Sequence, residues 1–156
     1  MMHTPTLHTA PRLAHWPEAL AAHIQARRHT PFAWGAHDCC TFAADGVLAM
    51  TGVCPMPDLR GLGARAARAV LRSTPLADLV TQRLGPALNH PAQAQRGDVL
   101  LVQAHGHPLW LALCDGALWW APGANGLVSG PTASALAAWP VGRAHLEQPA
   151  HWVGEA

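Results

Sequence analysis

The chain has 156 residues, half of them hydrophobic and only 12% charged, enough for one folded domain and too apolar for general disorder. All 10 basic residues are arginine against 9 acidic ones, and the formal net charge of +1 leaves no electrostatic footprint for nucleic acid or an anionic membrane. The opening "MMHTPTLHTAPRLAHW" has neither the basic start nor the apolar core of a signal peptide, and no apolar run approaches the roughly 20 residues that span a bilayer. Four cysteines, Cys39, Cys40, Cys54 and Cys114, are too few for a disulfide scaffold, so free thiols are expected.

After a lead-in over residues 1–15, "WPEALAAHIQARRH" reads as a helix. Pro17 suits its first turn, Glu18 sits near the positive end of the dipole, and Arg27, Arg28 and His29 sit near the negative end. Leu20, Ile24 and Trp16 share its apolar face. "TPFAWGAHD" is a turn-rich connection to a second helix from Cys39 to Met50, with Asp38 as N-cap and Gly52 as stop. "ARAARAVLRS" and "PLADLVTQRLG" give two short helices, the first carrying Arg65, Arg68 and Arg72 on a solvated face.

The period then changes. "GDVLLVQ", "PLWLALCDG" and "GALWWAP" are short Leu-, Val- and Trp-rich runs bounded by Gly, Pro and Asp, and "NGLVSGP" and "AAWPVGRAHL" add further strands or edges. Helices first and strands after predict one α+β domain over residues 1–156, its second helix packed on an antiparallel sheet, with residues 146–156 as an extended tail.

Among the residues that carry chemistry, Cys39 comes first. Free N–H groups at a helix start favour a thiolate, and Cys39 follows the N-cap directly, whereas Cys40 is rotated by about 100° around the helix. The competing reading is two buried structural cysteines. A thiol nucleophile also needs an imidazole in reach, and His105 and His107 in "QAHGHPLW", at the start of a predicted strand, are the candidates. They read equally as turn histidines in a chain with 11 histidines. His37 lies close to Cys39 in sequence without its ring direction being fixed. The chain has no C-x-x-C, P-loop, dinucleotide fingerprint or H-E-x-x-H, so no metal or other cofactor is expected. Its seven tryptophans divide between core and interface in a way the sequence does not resolve.

"PFAWGAHDCCTF", "RGDVLLV" and "LALCDGALWWAPGANGLV" together resemble the NlpC/p-sixty family of papain-like cysteine peptidases. More narrowly they resemble a short group of phage and prophage tail-region proteins on that framework. The resemblance runs from Trp16 to Trp139, and its most specific points are Trp34, Gly35, Asp38, Gly97 and Asp98. It implies a papain-like fold with Cys39 as the nucleophile and Cys40 in the place of a serine. It also implies a histidine base on the strand after Gly97-Asp98 and a polar residue on the next strand to orient it. Alignment puts Trp110 at the base position and Trp120 at the orienting position, and Phe32 replaces a tyrosine that helps hold the site. An indole cannot take a proton from a thiol.

The expectation is therefore a catalytically degenerate component of a phage tail tip or baseplate. It would be assembled in the host cytoplasm, partnered by other tail proteins, and without nucleic-acid binding or membrane insertion. The alternative is an active thiol hydrolase of peptidoglycan peptides with His107, or His105 in its stead, as base. A host-encoded binding module on the same scaffold is a third reading.

Overall fold

A computed structural model describes residues 7–103 and 108–143. The helices come first: α1 (Trp16–Arg27), α2 (Cys39–Thr51), α3 (Ala64–Ser73) and α4 (Leu76–Leu84). The strands follow as β1 (Val99–Gln103), β2 (Leu109–Asp115), β3 (Leu118–Gly123), β4 (Gly126–Pro131) and β5 (Ala137–Trp139). The strands form a five-stranded sheet in the order β4-β3-β2-β1-β5, and its strand pairs are antiparallel. The architecture is α+β, as the change of period predicts.

Each helix ends where its residues require. Pro17 stands in the first turn of α1, with Glu18 near its start and Arg27 in its last turn. Asp38 caps α2 by accepting from the Thr41 N–H, and Gly52 closes that helix in the left-handed conformation at φ 82°. The connection after α1 is tied to the sheet, because the Leu127 N–H donates to the Arg28 carbonyl and the Phe32 N–H to the Gly123 carbonyl.

Two apolar layers cover the sheet. On one face, Val99 and Leu101 of β1 and Leu111 and Leu113 of β2 pack with Leu20 and Ile24 of α1, Phe42, Val47 and Met50 of α2, and Leu79 and Val80 of α4. Burial of each large side chain there contributes roughly 1.5–3 kcal/mol. On the other face, Leu100, Val102, Ala112, Cys114 and Trp119 gather under the Ala135 segment. Gly46 sets the closeness of helix and sheet, since a Cβ there would collide with Leu113 Cδ1 and touch His23. Of the tryptophans, Trp119 and Trp139 are core, and the Trp139 indole donates to Thr81 Oγ1 at 3.0 Å, locking β5 to α4.

From residue 7 the lead-in is bound rather than loose. The His8 N–H donates to the Arg83 carbonyl at 2.8 Å, and Arg12 donates to the Val141 and Arg96 carbonyls. Arg12 also pairs with Asp98, which is fully buried and takes a second cation from Arg143 at 2.6 Å. Residues 1–6, the region 104–107 that holds His105 and His107, and the tail from residue 144 lie outside the described residues. No helix among the described residues is long and apolar enough to cross a membrane.

Candidate functional site: a thiol pair at the mouth of an apolar cavity

The turn before α2 is built around one carboxylate. Asp38 Oδ2 accepts the Gly35 N–H at 2.8 Å and Oδ1 accepts the Thr41 N–H at 2.8 Å, so both oxygens are committed to holding turn and helix together. Gly35 has φ +80°, and a Cβ there would sit 3.2 Å from the carbonyl oxygens of Gly61 and Leu62. Phe32 and Trp34 meet edge to face at 5.0 Å, and Arg68 of α3 lies 5.8 Å above the Trp34 ring. These residues fix where α2 begins, and α2 begins on the cysteines.

Cys39 and Cys40 are both half-buried and both face the same cavity, of about 200 Å³. The 100° offset expected to part them does not do so. The Cys40 thiol donates to the Cys39 sulfur, and the backbone N–H groups of Leu111 and Cys40 also serve that sulfur. Together they outweigh burial and the nearby Asp38 charge, and bring the Cys39 thiol below its ordinary range. Cys40, as the donor, is pushed far up by that same bond and by burial.

The Leu111 N–H is available because of the sheet's geometry. β3 pairs with β2 over Leu113–Asp115 only, which leaves the first half of β2 open along that edge. Cys39 occupies this open edge.

Trp110 packs partly against the second apolar layer and also lines the cavity with Cys39. Strand alternation turns Leu109 and Leu111 toward the helices, and Leu109 lines the cavity with Cys39. From β2 the cavity is therefore met by both Leu109 and Trp110, and neither side chain has a nitrogen that titrates as a base. Trp120 does face the helices, packing on the layer that holds α2, with Arg28 5.5 Å above its ring. Its indole N–H is buried without a hydrogen-bond partner.

Of the histidines near this end of α2, none is bonded to Cys39 among the described residues. His37 is edge-on to Phe42 at 5.8 Å, its Nε2 buried and unpartnered, and burial with the Arg27 charge pushes its pKa down. His23 stacks on the other side of Phe42 at 4.8 Å and its Nε2 bonds the Phe42 carbonyl at 2.9 Å. Gly97 and Asp98 lie elsewhere. Gly97 begins the turn into β1, its N–H donating to the Cys114 carbonyl, at the end of the β1–β2 ladder opposite to Leu109. Asp98 serves as an anchor, its carboxylate bound by Arg12, Arg143 and the N–H groups of Gln95 and Val141. No group of three or more His, Cys, Asp or Glu among the described residues is placed to hold a metal ion.

The sequence reading did not anticipate the cavity itself. Its walls are apolar, aliphatic from Leu59 and Leu62 through Val70 and Leu71 of α3 to Leu76 and Leu79 of α4, with Phe32, Trp34 and Trp110 adding aromatic surface. The amphipathic pattern of α3 was the available signal, because Ala67 and Val70 fall opposite its three arginines. Chemically, the site offers a thiol whose ionisation is favoured by its hydrogen bonds, at the end of an apolar cavity.

No curated protein matches the chain. Among solved structures it is similar to the NlpC/p60 domain of the peptidoglycan hydrolase SagA, at 19% identity and a TM-score of 0.49, over 80% of this chain and 97% of that one. Residues 11–141, which hold every element described above, match the family described as "Domain of unknown function (DUF6950)", and the chain belongs to that family.

Proposed function

We propose that this chain is a cysteine-peptidase-like scaffold of the NlpC type that has kept its nucleophile and lost its general base, and that it serves as a structural part of a phage or phage-like tail tip. One observation carries the reading: where an amide-cleaving site needs an imidazole beside the cysteine, β2 lines the cavity with Leu109 and Trp110, neither of which can accept a proton. Without a proton acceptor and donor, an attacked amide cannot release its amine, and the loss is worth about 10²–10⁴ in rate. The sequence resemblance to tail-region proteins supports the location. The partners would be neighbouring tail-tip or baseplate subunits, met during assembly in the host cytoplasm.

The test pairs chemistry with location. Purified protein incubated with peptidoglycan fragments should release no more new amine than its Cys39→Ala variant, as read by mass spectrometry. Immunogold labelling should place the chain at the tip of purified tails. Cleavage that depends on Cys39 would overturn the first half, and unlabelled tails the second. A second reading, an active thiol hydrolase of cell-wall peptides, is favoured by the lowered Cys39 thiol and by the position of His107 immediately before the cavity-wall residue Pro108 in sequence. Cleavage lost in both Cys39→Ala and His107→Ala would select it.

A further inference from the structure

We propose that the cavity is an acyl site, in which Cys39 takes a short-to-medium aliphatic acyl group from an acyl thioester and holds it as a protein thioester. The proposal rests on the reading above, in which the nucleophile persists without a general base.

The cavity comes first in the argument. At about 200 Å³ it is somewhat larger than the dry, aliphatic cavity of roughly 150 Å³ that accepts benzene, so it holds a chain of about six to eight carbons. Its polar groups are gathered at one end. There Asp38 is spent on two backbone N–H groups, and Cys39 and Cys40 face inward. The remaining lining is almost wholly hydrocarbon, so a polar peptide or sugar would leave its hydrogen-bonding groups unmatched. The outer wall is α3, none of whose residues is fully buried. The helix is held over the cavity by Ala67, Val70 and Leu71 and by the Arg68–Trp34 stack, an arrangement that admits a ligand with little disruption.

The chemistry fits what the site has and lacks. The Cys39 thiolate attacks the carbonyl carbon of the donor thioester. A carbon–sulfur bond to Cys39 forms, the carbon–sulfur bond to the carrier breaks, and the carrier leaves as a thiolate that takes its proton from solvent. A thiolate leaves without general-acid help because its conjugate acid has a pKa of about 8.5, whereas an amine does not. On the base-free reading above, nothing among the described residues activates water against the new thioester either. The product therefore accumulates.

The experiment uses the whole chain with octanoyl-coenzyme A and acetyl-coenzyme A as probes, followed by intact-protein mass spectrometry. The expected result is a single octanoyl adduct on Cys39, released by hydroxylamine, that forms at least about tenfold faster than the acetyl adduct because the longer chain buries apolar surface. Val70→Trp fills the cavity from α3 and should abolish octanoylation, while far-UV circular dichroism and the urea midpoint show that the fold is kept. Absence of an adduct, equal rates for the two donors, or octanoylation undiminished in Val70→Trp would each overturn the proposal while leaving the base-free scaffold standing. Continuous release of coenzyme A beyond one equivalent would show that water is being activated, and would overturn the base-free reading with it.

Discussion

Acidification from pH 7 to pH 5 should destabilise this fold, and His23 should account for a measurable part of the loss. Its ring is buried between α1 and α2, and burial, helped by the Arg27 charge, lowers its pKa to about 4. In the unfolded chain the same imidazole titrates near 6.5, so between these values the unfolded state binds the extra proton. The stabilisation is thus complete above about pH 6.5 and is lost as pH falls toward 4. The two values give a loss of about 2 kcal/mol at pH 5, and a limit of about 3 kcal/mol at lower pH. Urea unfolding of the parent chain and of His23→Gln at both pH values isolates the contribution, since glutamine keeps a donor for the Phe42 carbonyl and does not titrate. The parent should lose about 2 kcal/mol more than the variant on acidification. Equal losses in the two proteins would refute the reasoning.

Two further substitutions probe the frame of the site. Asp98→Ala removes the shared partner of Arg12 and Arg143 and should cost about 3–5 kcal/mol in urea unfolding, because two largely covered cations lose their counter-charge; a loss below about 1 kcal/mol would contradict the anchor role. Gly35→Ala meets both an unfavourable positive φ and the carbonyls of Gly61 and Leu62, and should cost about 1–3 kcal/mol and slow Cys39 alkylation, whereas unchanged thermal unfolding would contradict it.

Much of the scaffold is legible in the residues, for local reasons. Pro17, Asp38 and Gly52 mark helix ends by their own backbone chemistry, and α3 coincides with "ARAARAVLRS" because its arginines and apolar residues separate cleanly. The first helix stops at Arg27 rather than His29, and the second runs one residue past Met50, differences confined to fraying ends. The site is less legible because it depends on which way a strand faces. In "PLWLALCDG" apolar residues occupy both alternating sets of positions, so the pattern does not show which of them meet the cavity, and in the fold both Leu109 and Trp110 do. The roles of Asp98 and Leu111 were hidden for a related reason. Arg12 and Arg143 lie far from Asp98 in sequence, and the Leu111 contribution is a backbone N–H, which side-chain identity does not encode.

The central claim is that Cys39 has a lowered thiol pKa that owes nothing to an imidazole, and its alkylation by iodoacetamide as a function of pH tests this most directly. Peptide mass spectrometry would follow Cys39 against Cys54 and Cys114 in the parent chain, His105→Ala and His107→Ala. The account predicts one titration for Cys39, with a midpoint below the free-thiol value of about 8.5, unchanged by either histidine substitution. A midpoint that rises in His107→Ala or His105→Ala would contradict it and restore a working base to the site.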